Sequence, residues 1–281
     1  MDSCRKHLLF LPLLMLILFL GAGPRIARAA DIHWYSNLQE ASSAALEMNK
    51  PMMIDFQADW CAACKVMERD VYSDANVAEA FRRLLPVRLD FDKKAPIARK
   101  YEVTALPTLI FTDSYGNEIL RWHGFIEAKP LTEVIQSLPD VTELNQISRA
   151  LEQNKNDFQA LQKMGEKLRS AGLFLTSNGY YARALDRPEA KSDPAKKEFI
   201  LNQMALNSLD LKDGKRASEI LEKCLKEFPS SRNKAEWTLS LGRAYAFAEK
   251  KDKAKKVLES FVREHPDGPQ SQQAKALLAT L

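Results

Sequence analysis

The apolar positions of this chain change their period about half-way along. Between Asp31 and Leu138, short runs of strand character alternate with stretches of helical spacing. Met52–Phe56 and Val87–Phe91 have the length and composition of buried strands. Thr108–Thr112 and Glu118–Trp122 flank Asp113-Ser114-Tyr115-Gly116-Asn117, a hairpin turn by its residue types. Ile32–Tyr35 is a further short strand candidate. Helical spacing predicts helices over Leu38–Met48, Ala62 to about Asp70, Asn76–Leu85, Ala95–Tyr101 and Lys129–Leu138. This order, with an antiparallel hairpin late in the chain, predicts an α/β domain built on a mixed sheet.

Past Pro139-Asp140 the strand signals stop and helical periodicity takes over. A repeat emerges near the end. Leu241, Gly242, Tyr245, Ala254, Leu258, Phe261 and Pro266 form one unit, preceded by a similar one with Met204, Ala205, Ala217, Leu221, Cys224 and Pro229; the closing prolines are 37 positions apart. A more degenerate unit spans about Asp157 to Pro188, with Ala171-Gly172 as its turn, and Ala274–Leu281 is expected to cap the array. Gly242 and Ala254 would let two helices approach closely, Tyr245 and Leu258 would fill the space between them, and the prolines would end each second helix. One helix pair cannot bury its apolar face alone, so the units must stack.

The first residues have a different character. Arg5, Lys6 and His7 precede a dense apolar run, Leu8–Leu20, and then the small-residue site Ala27-Arg28-Ala29. This is the pattern of a secretory signal peptide, cut after Ala29. The alternative is an uncleaved membrane anchor, although the run is shorter than the roughly 20 residues a spanning helix needs. The expected organisation is therefore a signal peptide over 1–29, an α/β domain over 30–139 and a helical-repeat domain over 140–281, periplasmic or secreted if the signal is cut and membrane-anchored if it is not. A net charge of +4 points to neither nucleic acid nor a strongly acidic substrate.

The candidate chemistry lies in Asp55-Phe56-Gln57-Ala58-Asp59-Trp60-Cys61-Ala62-Ala63-Cys64-Lys65. A Cys-x-x-Cys pair that follows a strand and opens a helix is a redox site, because the first helical turn brings the two sulfurs together and the helix N-terminus stabilises a thiolate on the leading cysteine. Cys61 is expected to be the exposed attacking thiol, and Cys64, one turn in and more buried, the resolving one. Of the four cysteines, Cys4 would leave with the signal and Cys224 falls in a small-residue slot of a repeat helix, so the pair is better read as chemistry than as a structural staple. No second Cys or His pair stands at zinc-binding spacing. No cofactor is expected, since the dithiol itself carries two electrons.

The α/β segment resembles a thioredoxin-fold domain, and in particular the C-terminal periplasmic domain of the DsbD thiol:disulfide interchange family. The likeness rests on the stretch Asp55–Lys65, on Tyr72-Ser73-Asp74 with Val77, on Leu106-Pro107-Thr108 and on Gly124-Phe125. It covers roughly the first half of the mature chain and does not extend to that family's transmembrane electron-carrying segment. The helical half resembles a tetratricopeptide array.

The resemblance implies roles. Asp55 matches the buried acid that takes the proton from Cys64, with Arg88 where a lysine commonly pairs with it; otherwise Asp55 is a strand-end cap. Pro107 matches a cis-proline that presents the Leu106 backbone and Thr108 to an extended substrate segment; otherwise it is a trans proline at a strand start. Trp60 would cover the disulfide or pack in the core, and Lys65 would favour thiolate or be solvated. His33 and His123 read as ordinary strand-end residues. Ala62-Ala63 places neither His nor Pro beside the thiolate, which implies a potential nearer the roughly −270 mV of thioredoxin than the roughly −120 mV of the oxidant DsbA.

The resulting expectation is an exported thiol:disulfide oxidoreductase, a reductase of protein disulfides, recharged by a membrane or soluble thiol donor, whose repeats bind a protein partner. The rival is a non-catalytic adaptor or assembly factor that uses both parts for docking.

Overall fold

The computed structural model describes residues 32–281. The signal-peptide segment expected over 1–29 lies outside the described residues. Helix α1 (Leu38–Met48) has the bounds its spacing predicts. The Asn37 side chain accepts hydrogen bonds from the N–H groups of Gln39 and Glu40, and Asn49 ends the helix in the left-handed conformation. There follow β1 (Met52–Gln57), α2 (Ala62–Val66) continuing into a π-helical turn (Met67–Val71), α3 (Ala75–Ala80), β2 (Leu85–Asp90), α4 (Ala95–Lys100), β3 (Thr108–Thr112), β4 (Glu118–His123) and α5 (Ala128–Ser137).

The sheet order is β2-β1-β3-β4. β1 is parallel to β2 and antiparallel to β3, and β3 is antiparallel to β4. β1 is central and covered on both faces, which explains why its residues from Met52 to Phe56 are all buried and do not alternate with exposed ones. Alternation along the strand sends Met52, Ile54 and Phe56 into a core with Ala41, Ala45, Val87 and Ile110, and sends Met53 to the other face with Met67, Val71, Leu109 and Phe111.

Two expected elements differ. Ile32–Tyr35 is not a strand: it makes one parallel bridge, Tyr35 to Val87. Its Trp34 packs edge-on against Tyr72 and Phe81 instead. The helix expected over Asn76–Leu85 gives way to a 3-10 turn over Phe81–Arg83, and Leu84 is extended. Leu85 precedes Pro86, which disfavours helical backbone there, and Pro86 is tolerated because β2 is an edge strand.

The second half is helical throughout: α6 (Val141–Gln153), α7 (Phe158–Ser170), α8 (Phe174–Leu185), α9 (Pro188–Ser192), α10 (Pro194–Asp210), α11 (Gly214–Glu227), α12 (Lys234–Phe247), α13 (Lys251–Glu264) and α14 (Pro269–Leu278). The last helix begins five residues before the expected Ala274, because Pro269 opens its first turn. A Cβ on Gly242 would stand 2.4 Å from Leu258 Cδ2, so the close approach predicted for that glycine is present.

Pro139-Asp140 is not a break in the core. Val141, Leu144, Ile147 and Leu151 of α6 join one contiguous cluster with Met53, Leu109, Phe111 and Ile135 of the α/β part. Polar bonds accompany it. Asn145 Oδ1 accepts from the Ser114 N–H at 3.1 Å, and Asn145 Nδ2 donates to Asn49 Oδ1 at 2.7 Å. Ser148 Oγ donates to Asp113 Oδ2 at 2.5 Å, and Thr176 Oγ1 donates to the Ile119 carbonyl at 2.8 Å. The hairpin residues Asp113 and Ser114 follow Thr112, which pairs with Met52, so α6 is fastened at the end of the sheet where β1 begins.

Candidate redox site

The opposite end of the sheet, where β1 finishes, gathers the residues singled out in the sequence. Register places Phe56 opposite Thr108, and Thr108 opposite His123. The segment leaving β1 toward Cys61, the segment entering β3 through Pro107 and the segment leaving β4 through Gly124 therefore lie side by side.

Cys61 and Cys64 are joined in a disulfide. Cys61 is the N-cap of α2, and its sulfur accepts the Cys64 N–H at 3.1 Å. That N–H is one of the unpaired donors of a helix start, aimed at the leading sulfur as the spacing predicts. Burial does not separate the two residues as expected: each is 5 % exposed. The disulfide ties both sulfurs into one bond, so the residue that opens the helix is covered as well as its partner. Position distinguishes them instead.

Asp55 sits mid-strand, not at a strand end, and is 2 % exposed. It projects to the sheet face that Met53 shares with Met67 and Val71, the side of the helix that carries the cysteines. Burial raises its pKa to about 6, while the charge of Arg88 and the Tyr72 hydroxyl pull it back. Arg88 Nε stands 3.6 Å from Asp55 Oδ2. Its Nη2 pairs with Glu68 of the π-helical turn. The Arg88 guanidinium lies 3.9 Å from the centre of the Trp34 ring and 5.3 Å from that of Tyr72. The buried Tyr72 hydroxyl and both of those Arg88 nitrogens lack an aligned hydrogen bond, so they act on Asp55 as charge and dipole. The same carboxylate pushes the Tyr72 hydroxyl well above its ordinary pKa, after burial.

The Leu106–Pro107 peptide bond is cis. Pro107 is buried and Leu106 half-buried. The Pro107 carbonyl accepts the Gly124 N–H at 2.8 Å. Thr108, also buried, donates its hydroxyl to the Ala105 carbonyl at 2.8 Å and meets His123 Nδ1 at 3.3 Å. Trp60 is not core: it is 65 % exposed, with its Nε1–H donating to Asp92 Oδ2 at 2.9 Å. Lys65 is exposed.

A model of the thioredoxin-like domain matches residues 38–139, and a model of the tetratricopeptide repeat matches residues 239–268. Residues 38–139 are a thioredoxin-like domain. The thiol:disulfide interchange protein DsbD of Yersinia pestis (strain Pestoides F) is 38% identical over 104 residues, covering 35% of this chain and 18% of that protein. DsbD of Pasteurella multocida (strain Pm70) is 36% identical over 118 residues, covering 40% of this chain and 20% of that protein. The chain thus spans about a fifth of the length of these relatives. A solved DsbH oxidoreductase is 24% identical with a TM-score of 0.36, covering 41% of this chain and 89% of that one.

Within the thioredoxin-like domain, Cys61, Cys64, Asp55, Pro107, Leu106, Thr108 and Trp60 all belong to elements or loops at one end of the sheet or beneath it. Glu68, Trp34 and Asp92 were not expected there. The register Asp55↔Arg88 follows from the parallel pairing of β1 and β2, and Glu68, which pairs with Arg88, lies in the π turn that continues the helix after Cys64.

Proposed function

We propose that the chain is an exported thiol:disulfide oxidoreductase acting as a reductase of protein disulfides. The observation that carries this reading is the Cys61–Cys64 disulfide at the start of α2, with the Cys64 N–H on the leading sulfur, together with the buried Asp55 carboxyl of β1, whose pKa burial raises to about 6. In the reduced protein the Cys61 thiolate attacks a substrate disulfide, forming a mixed disulfide and releasing one substrate thiolate. Cys64 then loses its proton to Asp55 and attacks Cys61 Sγ, which releases the second substrate thiolate and restores the Cys61–Cys64 disulfide. Two electrons pass to the substrate, and a dithiol donor, membrane-bound or soluble, must return them. No other cofactor takes part.

Pro107, with Leu106 and Thr108, lines the groove in which the substrate segment lies, and Trp60 shields the sulfurs. The helical half binds a protein partner, either the substrate or the donor, and the signal peptide directs the chain to an oxidising compartment. The similarity to DsbD supports the compartment and the donor class.

The test is the reduction potential of the pair, from equilibration in glutathione or dithiothreitol buffers with trapping of free thiols. A value near the roughly −270 mV of thioredoxin is expected, and one near −120 mV would make the protein an oxidant instead. A pair that does not cycle reversibly would leave the adaptor reading in its place.

A further inference from the structure

The segment Ile32–Tyr35, ahead of α1, brings a tryptophan to the cation beside the buried carboxyl. The Tyr35 backbone N–H donates to the Pro86 carbonyl at 2.9 Å, and the Arg88 backbone N–H donates to the Tyr35 carbonyl at 2.8 Å. This bridge sets Tyr35 beside Val87, and both side chains join the core of Ile54 and Phe56. Alternation sends their neighbours Trp34 and Arg88 to the other face of the sheet, the one to which Asp55 projects.

There Trp34 forms a cap. Its ring centre lies 3.9 Å from the Arg88 guanidinium, 5.0 Å from the Tyr72 ring centre and 5.7 Å from that of Phe81. Arg88 Nε and Nη2 and the Tyr72 hydroxyl are buried with no aligned hydrogen bond. A guanidinium in water surrounds its N–H donors with solvent. Here an indole covers one face of it, which holds the cation by stacking and closes that side to water. The pairing with Glu68 fixes the guanidinium at Nη2.

Few groups set the charge at Asp55. Arg88 comes from β2, Glu68 from the π-helical turn and Tyr72 from the residue after it. β3 sets apolar Leu109 opposite. On the segment of Trp34 itself, His33 packs edge-on against Tyr35 with ring centres 5.2 Å apart, and Tyr35 lies in the core of the other face. Burial is the largest influence on the Asp55 carboxyl, and the charge of Arg88 is second and opposite in sense. Loss of the cap would weaken both, and the larger decides the sign.

We propose that Trp34 is a positioning residue for proton transfer from Cys64: it caps the Arg88–Asp55 pair against water, so that the carboxyl is poised to take a proton. The inference deepens the redox reading above and rests on it. Trp34 acts through Arg88 and Asp55 and not on the sulfurs. A carboxyl open to water titrates far below a thiol and is a poor acceptor of its proton, whereas a dry one stands closer to it.

The test follows the Asp55 carboxyl carbon resonance of the whole oxidised protein against pH, with Asp55→Asn identifying the signal. A midpoint of about 6 is expected in the unaltered protein. Trp34→Ala is expected to move it down toward 3.8, and Trp34→Phe, which keeps a flat ring over the guanidinium, to leave it near 6. In single turnovers of the reduced protein on a peptide disulfide, release of the second peptide thiol is expected to slow by up to about tenfold in Trp34→Ala and to recover in Trp34→Phe. A midpoint that stays at about 6 or rises in Trp34→Ala would overturn the cap. Should that variant not fold, the indole N–H resonance of Trp34 in the unaltered protein decides. It is expected to shift with the Asp55 midpoint, and an indole signal that ignores that titration overturns the cap. A disulfide that does not cycle reversibly would remove the redox reading and the role of Trp34 with it. An unmoved Asp55 titration in a pair that cycles would remove the cap alone.

Discussion

Arg88 stands between two carboxylates, 3.6 Å from buried Asp55 and paired on its other side with half-exposed Glu68. It neutralises Asp55 only in part, because it is shared and because its Nε is not aligned in a hydrogen bond. Burial, which Arg88 offsets only in part, raises the pKa of the carboxyl to about 6. A folded pKa above the unfolded 3.8 means that the folded state holds the proton more tightly. The stabilisation is complete below about pH 4 and is lost as pH rises through about 6. The span corresponds to roughly 3 kcal/mol. Denaturant titration of the oxidised protein from pH 4 to 8 should show this fall, and Asp55→Asn should flatten it.

Removing the shared cation should move the same titration. Arg88 is the largest influence holding the Asp55 pKa down, so Arg88→Met is expected to raise it further. Glu68 pushes the other way through its charge, so Glu68→Gln is expected to lower it. The direction of each shift, read from the pH dependence of Cys64 reactivity in the reduced protein, checks the assignment. Shifts of the same sign in both variants would contradict it.

The two cysteines should differ in what each variant traps. The helix N-terminus aims an N–H at Cys61 Sγ, which favours thiolate there. Cys64→Ser should therefore accumulate a stable mixed disulfide with a substrate, visible on non-reducing gels and by mass. Cys61→Ser should form little, because Cys64 lies one turn in and lacks that donor. Equal trapping by both would reverse the assignment of attacking and resolving thiols.

Much of this was legible in the chain. The bounds of α1 and β3, the Cys-x-x-Cys helix start and the close approach at Gly242 are local patterns, and local patterns survive into structure. What was not legible depends on long-range placement. Ile32–Tyr35 has strand composition, but the aromatic packing of Trp34 leaves it a single bridge. Glu68 looks like any surface acid in the sequence, and its pairing with Arg88 of β2 is a long-range contact. Gly214 attracts no notice in sequence, yet a Cβ there would stand 2.4 Å from the Ala244 carbonyl oxygen and from the Ala248 nitrogen.

Those two glycines give a contrast in stability. At Gly242 the new methyl meets Cδ2 and Cγ of the buried Leu258 side chain, which can yield by a change of rotamer more readily than backbone can move. At Gly214 it meets backbone, which cannot. Gly214→Ala is therefore expected to cost more than Gly242→Ala, in the range of about 1–3 kcal/mol or above for overpacking. Thermal unfolding of the two variants decides it. A larger loss at Gly242 would show that the turn before α11 yields more easily than the packed side chain.

The two halves of the chain meet in one shared core. Val141, Leu144, Ile147 and Leu151 of α6 are buried in the core that the sheet shares. Four such side chains contribute at most about 6–12 kcal/mol together at roughly 1.5–3 each. That is comparable with the whole stability of a domain, about 5–15 kcal/mol. Asp113 depends on the same helix: burial raises its pKa, and the Ser148 hydroxyl is the first of the bonds that offset this. A fragment ending at Pro139 should therefore melt well below the intact chain, and the redox site would lose the frame that holds β3 and β4. Ser148→Ala in the full chain should cost about 0.5–1.5 kcal/mol, the net worth of one hydrogen bond, because Asp113 Oδ2 keeps the Asn117 amide. A fragment as stable as the whole would mean that α6 only rests on the sheet. A destabilised one would mean that α6 is structurally part of the thioredoxin-like domain.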